Sequence, residues 1–188
     1  MNQKNSLGLN ICFKDEDNPI DLFKEWFDEA KKSGDSVGGK FEIFATGVPI
    51  GLGSYAQWFD KLQAKIAESI MSINAVKGVE IGNGFDSVNE TGVSNVDEMR
   101  IKDGKKIFLS NNNGGVLGGI STGQDIICRF VVKPTSSILT AKKTIDINMK
   151  ETTISTKGRH DPCVGIRAVP VGEAMMATTL ADLSLIHI

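Results

Sequence analysis

Apolar positions along the chain set the first expectations. Ile20, Phe23, Trp26, Phe27 and Ala30 recur three or four residues apart, predicting an amphipathic helix that packs this stripe on a core. Asn18-Pro19 suits its start, as cap and first helical residue, and Gly34 suits its stop. Before it, residues 1–17 are polar apart from a short patch (Leu9, Ile11, Phe13) and predict no element. Lys40 to Val48 reads as a strand ended by Gly47-Val48-Pro49, with a loop at Gly51-Leu52-Gly53. A second helix is predicted from Ala56 to Ile73, burying Trp58 or Phe59 with Leu62, Ile66, Ile70 and Ile73. A short apolar segment follows at Val79 to Ile81. Residues 82–104 are glycine-punctuated and lack a period, predicting a long loop of the kind that forms lids or binding surfaces. Asp125 to Val132 predicts a buried strand, and Thr144–Asn148 and Thr152–Ser155 two short strands with a turn near Lys150. Val171 to Leu183 predicts a closing helix with Glu173 in its first turn, where a carboxylate complements the dipole.

These strands do not alternate regularly with helices, so the expected class is α+β, with antiparallel sheets and helices in layers. A chain of 188 residues is long enough for one sizeable core. The abrupt apolar ending Leu183-Ser184-Leu185-Ile186-His187-Ile188 carries no helix stop. It is expected to be a non-native tail on a domain formed by residues 1–182, so His187 is left out of the site.

Charge narrows the partners. A formal net charge of −2 and a pI near 5.7 supply no basic field for nucleic acid. No apolar run approaches the ~20 residues that span a bilayer, so no membrane partner is expected. Cys12, Cys128 and Cys163 are odd in number and far apart, which suits neither a disulfide framework nor a metal site. A reducing cytoplasm is the simplest compartment.

Three stretches could carry chemistry. Two Gly-Gly pairs in Asn111 to Gly119 let backbone approach a ligand closely, although a tight turn before a strand explains them equally. Lys133-Pro134-Thr135-Ser136-Ser137 offers an ammonium, three hydroxyls and backbone amides at a strand end, suited to a phosphate or to a plain polar turn. In Gly158-Arg159-His160-Asp161-Pro162-Cys163, Pro162 biases Asp161 toward an extended conformation. Arg159 and Asp161 would then share one face, as an anion clamp with a proton-handling carboxylate or as a surface ion pair. Asp97-Glu98 resembles a carboxylate pair by adjacency alone and reads better as solvated loop.

These stretches, with Ser72-Ile73-Asn74-Ala75-Val76-Lys77-Gly78-Val79-Glu80-Ile81-Gly82, resemble the chorismate synthase family in order, spacing and flanks. The resemblance runs from about the first helix to Leu180. It implies helices sandwiched between sheets. The implied activity is a lyase that eliminates phosphate and a C6 proton from 5-enolpyruvylshikimate 3-phosphate, in 1,4-anti fashion, to give chorismate. It implies reduced FMN, with NADPH as a reductant in some members, and a homotetramer. By matching position, Asn74 and Ala75 would border the flavin, and Gly119 would give close backbone approach. Lys133, Pro134, Thr135, Ser136 and Ser137 would hold the cofactor. Arg159 would lie between cofactor and substrate, Asp161 would assist proton transfer, and His160 would be a neighbour.

The family's N-terminal segment, with its catalytic histidines and an Arg-Ser-Ser stretch, has no counterpart in this sequence. The expectation is an incomplete C-terminal portion of the family pattern, inactive alone. Two other readings share these residues: a non-catalytic flavin- or phosphate-binding module, and a structural domain for oligomer contact. Asp161 favours the enzyme, because a carboxylate beside an anion site weakens a pure binder.

Overall fold

Strict alternation of buried and partly exposed residues from Ile126 to Val132 makes this stretch the middle strand of the largest sheet. The computed structural model describes residues 3–4, 10–11, 19–158 and 160–186, with side chains from 24 to 158 and 160 to 185. In chain order the strands and helices are β1 (Gln3–Lys4), β2 (Asn10–Ile11), α1 (Pro19–Ser33), β3 (Gly39–Ala45), α2 (Leu62–Met71), β4 (Val76–Ile81) and α3 (Gly92–Asn95). Then come β5 (Met99–Lys102), β6 (Lys105–Phe108), β7 (Val116–Leu117), β8 (Ile120–Ser121), β9 (Ile126–Val132), β10 (Lys142–Ile145), β11 (Glu151–Ile154) and α4 (Gly165–Ile186). The class is α+β with small antiparallel sheets, as the sequence predicts. The chain divides into two units, residues 1–37 with 134–163 and residues 38–133 with 164–188.

In the second unit, β9 pairs antiparallel with β3 on one side and β4 on the other. Ile126, Cys128, Phe130 and Val132 turn one face to α2 and α4, where Leu62, Ile66, Ile70, Ala168, Met176 and Leu183 complete the core. The other face carries a band of charge. Arg129 stands opposite Glu42 and Glu80, its Nε 2.6 Å from Glu42 Oε1, while Lys40 Nζ lies 2.5 Å from Glu80 Oε2. The first unit holds α1, the antiparallel pair β1–β2 and the β10–β11 hairpin, with Ala30, Ile138 and Cys163 buried.

The structure corrects several expectations. Trp58 and Phe59 are exposed, because Trp58–Asp60 is a short 3₁₀ turn and α2 starts only at Leu62. Trp26 is 46% exposed on α1, whereas Ala30 is buried; the side chains of Ile20 and Phe23 lie outside the described residues, as does the whole of Asn18. In the predicted apolar patch, Ile11 enters β2 as backbone, while Leu9 and Phe13 lie outside the described residues.

Residues 82–104 are not a structureless loop. They contain a 3₁₀ segment, α3 and strand β5, which pairs with β6. The connecting Asp103 and Gly104 have φ of 52° and 73°, as a two-residue hairpin turn of this sequence requires. Helix α4 begins at Gly165 and continues through Pro170, which places Glu173 mid-helix. Proline removes one helical hydrogen bond at a cost of about 3 kcal/mol. Burial of Ala168 before it and Met176 after it on the same core offsets that loss.

Candidate functional site

Strand β9 delivers Lys133. Val132 is buried as the last core residue of the strand, and the next side chain, that of Lys133, is exposed. The Lys133 amide donates to the Ala75 carbonyl at 2.9 Å, extending the β9–β4 ladder by one bond. Ala75 adopts a left-handed conformation, φ 70°, which costs a residue with a Cβ roughly 1–2 kcal/mol. The turn lets the chain leave α2, expose Asn74 and enter β4 at the buried Val76. Asn74, Ala75 and Lys133 thus meet at one end of the sheet.

Pro134, which has no amide proton, ends the ladder. In the first unit, the loop that follows is braced from within. Ser36 Oγ donates to the Thr135 carbonyl at 2.6 Å, Ser137 N to Thr135 Oγ1 at 3.4 Å, and Ile138 N to the Ser136 carbonyl at 3.2 Å, with Ile138 buried beneath. Ser136 is exposed and Thr135 and Ser137 are half-buried, so the loop carries three hydroxyls near a surface. Hydroxyls such as these, and an exposed ammonium such as that of Lys133 in the other unit, are each donors to an anionic phosphate ester.

Gly119 lies elsewhere. It sits in the turn between β7 and β8, and its carbonyl accepts from Leu62 N at 2.8 Å, at the start of α2. Ala75 follows the other end of that ten-residue helix, about 15 Å away at 1.5 Å per residue. Within the described chain, therefore, Gly119 is not gathered with Ala75 and Lys133. A Cβ at Gly119 would lie 2.4 Å from the Ser54 carbonyl oxygen, so internal packing already requires glycine there. At Gly118, φ 66°, a Cβ would meet nothing within 4 Å, which leaves that backbone open to a neighbour.

Asp161 is half-buried in the first unit, where the adjoining Pro162 carbonyl accepts from Val37 N at 2.8 Å and Cys163 is buried. Arg159 lies outside the described residues, so the shared face expected for Arg159 and Asp161 does not enter the geometry. His187 and Cys12 lie outside them too, while Leu183 is buried within α4. Among the described residues, no cluster of histidine, cysteine and carboxylate side chains could hold a metal ion, and no helix is long and apolar enough to cross a membrane.

Asp97 is the functional-looking residue whose role the sequence leaves hidden. Its carboxylate accepts from Ser110 Oγ at 2.7 Å, from the backbone amides of Asn112 at 2.6 Å and Asn113 at 3.0 Å, and from Asn113 Nδ2 at 2.9 Å. Burial pushes its pKa up, but the hydrogen bonds from Ser110, Asn113 and Asn112 outweigh that and hold it below the usual value. Asp97 thereby fixes the start of the glycine-rich stretch, where a Cβ at Gly82 would lie 2.2 Å from the Asn112 carbonyl oxygen. Nothing local in the sequence signals this, since its partners lie across the β5–β6 hairpin. Glu98 pairs instead with Arg100 at the surface.

Fold and topology together define an α+β chain built on small antiparallel sheets. Its relatives make the class specific. The chorismate synthase family model matches residues 9–185. Chorismate synthases of Brucella anthropi and Mesorhizobium japonicum are 56% and 58% identical over 179 residues. Each match takes in 95% of this chain, and 49% and 48% of those proteins. A solved structure described as the crystal structure of chorismate synthase superposes with a TM-score of 0.70 at 38% identity, over 87% of this chain and 41% of that one. The chain belongs to the chorismate synthase family. It spans about half the length of the curated relatives it matches.

Proposed function

We propose that this chain is the C-terminal portion of a chorismate synthase and supplies part of its cofactor and substrate site. The reaction is the 1,4-anti elimination of phosphate and a C6 proton from 5-enolpyruvylshikimate 3-phosphate. It breaks one C–O and one C–H bond, forms one C=C bond, and yields chorismate, phosphate and a proton. The observation that carries this reading is the junction of Ala75 with Lys133, which brings two of the resembling stretches to one sheet end.

The donors present fit a flavin mononucleotide. Lys133 offers a charge with Asn74 and Ala75 beside it, and in the other unit Thr135, Ser136 and Ser137 offer hydroxyls to a phosphate-bearing group on a loop that Pro134 shapes. Reduced FMN, when bound, supplies electron density that favours phosphate departure. The chain's own residues bind and orient. Arg159 pairs with an anionic group of the substrate, and Asp161 helps carry the C6 proton away. The Gly118–Gly119 turn offers backbone to a ligand on its open side, at Gly118. The reading extends to NADPH as reductant where the full-length protein reduces its own flavin, to a homotetramer, and to the cytoplasm.

The test is reconstitution. The chain is mixed with a polypeptide supplying the other half of the family pattern, and phosphate release from 5-enolpyruvylshikimate 3-phosphate is followed with reduced FMN. FMN-dependent turnover by the mixture, abolished by omitting either half, supports the reading. Robust turnover by this chain alone, or none by a soluble mixture, counts against it. Asp161→Asn separates enzyme from binding module, since it should slow turnover without weakening flavin binding.

A further inference from the structure

Beside His160, the first unit has a half-open cavity of about 180 Å³. It is lined by Lys31, Asp35, Ser36, His160, Leu139 and Pro162, among others. His160 Nε2 is buried and, among the described residues, makes no hydrogen bond to a protein group. A buried polar atom left unpaired costs roughly 1–3 kcal/mol, so a group with a donor or acceptor belongs beside it. The space exceeds the ~30 Å³ share of one water, and Lys31, Asp35 and Ser36 are side chains such a water could reach. Lys31 and Asp35 bring opposite charges to the lining, so the space has no net charge that calls for an ion, and a neutral water fits it.

We propose that His160 is a positioning residue. Its Nε2, through ordered water in this cavity, holds the His160–Pro162 segment against the end of α1 and so fixes where Asp161 points. Asp161 directly follows His160, so anchoring His160 constrains the backbone that carries the Asp161 carboxylate. The Val37 amide, which donates to the Pro162 carbonyl at 2.8 Å, reports how firmly the segment is held. The consequence for Asp161 rests on the proposed function; the anchoring itself does not.

The test compares His160→Gln, His160→Asn and His160→Phe in the full chain by NMR-detected hydrogen exchange at the Val37 amide, with α4 amides as a folding control. A glutamine amide can reach the position of Nε2, an asparagine amide only that of Nδ1, and phenylalanine fills the space without a polar atom. The expected result is exchange within about threefold of the parent for Gln, and at least tenfold faster for Asn and Phe. Parent-like exchange in Phe makes His160 a space filler and overturns the proposal. So do equal rates for Gln and Asn, a comparison that still decides should Phe unfold the chain. Flavin affinity is measured in parallel. A chain that shows the Gln–Asn–Phe pattern but binds no flavin keeps the anchor and loses the cofactor reading.

Discussion

The amide of Lys133 donates to the carbonyl of Ala75 at 2.9 Å, joining the last residue of the β9 ladder to the left-handed turn after α2. The bond uses backbone only. It leaves the Lys133 side chain exposed and free to serve a ligand without cost to the fold.

Lys133→Ala should therefore separate binding from stability. A hydrogen bond to a charged group contributes about 1.5–3 kcal/mol, so flavin affinity should fall roughly ten- to a hundredfold. The thermal midpoint should stay within a degree or two of the parent. Flavin titration and circular dichroism melts measure the two.

Ala75→Gly should instead raise stability. Removing the Cβ relieves the left-handed strain at φ 70°, for a gain of about 1 kcal/mol in urea unfolding, reduced by glycine's greater freedom in the unfolded chain. A clear loss would mean that the Ala75 methyl contributes more by packing than its conformation costs.

Asp97→Asn should loosen the glycine-rich stretch. The asparagine keeps one acceptor where the carboxylate serves four hydrogen bonds, at a cost of about 1–3 kcal/mol. The pH dependence has a fixed sign. The folded pKa lies below the ordinary 3.8, so Asp97 stabilises the fold above that value and loses its contribution as pH falls through 3.8 toward the folded value. Melting curves across the acid range should show that arm in the parent and a shallower one in the variant.

Cys128 should be inert in the native state. Burial pushes its thiol up to about 12, against a small opposing effect of Arg129. Thiol labelling at neutral pH with peptide mapping should leave Cys128 unmodified until denaturant is added. The raised value stabilises the fold below pH 9.0, and this contribution is lost as pH rises from there toward about 12.

Core truncation gives the largest loss. Ile66 is fully buried between α2 and the sheet, and Ile66→Ala should cost about 2–5 kcal/mol in urea unfolding.

Much of this was legible wherever one strong pattern acted alone. Alternation made β9 plain, Leu62, Ile66 and Ile70 marked the buried side of α2, and Gly34 with φ 69° ended α1. Trp58 and Phe59 misled because large apolar residues before a helix read as its first turn, whereas the chain bends there as a 3₁₀ turn and exposes both. The closing helix starts at Gly165 rather than Val171, because core packing carries α4 across Pro170, which local propensity disfavours. The Asp103-Gly104 hairpin was within reach, since Asp-Gly between Met99-Arg100-Ile101 and Lys106-Ile107-Phe108 is a strong turn signal that the surrounding glycines masked. At the site, the order of the stretches was readable, but the meeting of Ala75 with Lys133 and the anchoring of Asn112 by Asp97 are long-range contacts that no local pattern encodes.

The most direct measurement is a titration of oxidised FMN with the purified chain, followed by flavin absorbance, with and without 5-enolpyruvylshikimate 3-phosphate. Saturable binding that substrate tightens and Lys133→Ala weakens is the predicted result. A folded, soluble chain that leaves the flavin spectrum unchanged in both titrations would contradict the claim that this portion carries a usable part of the site.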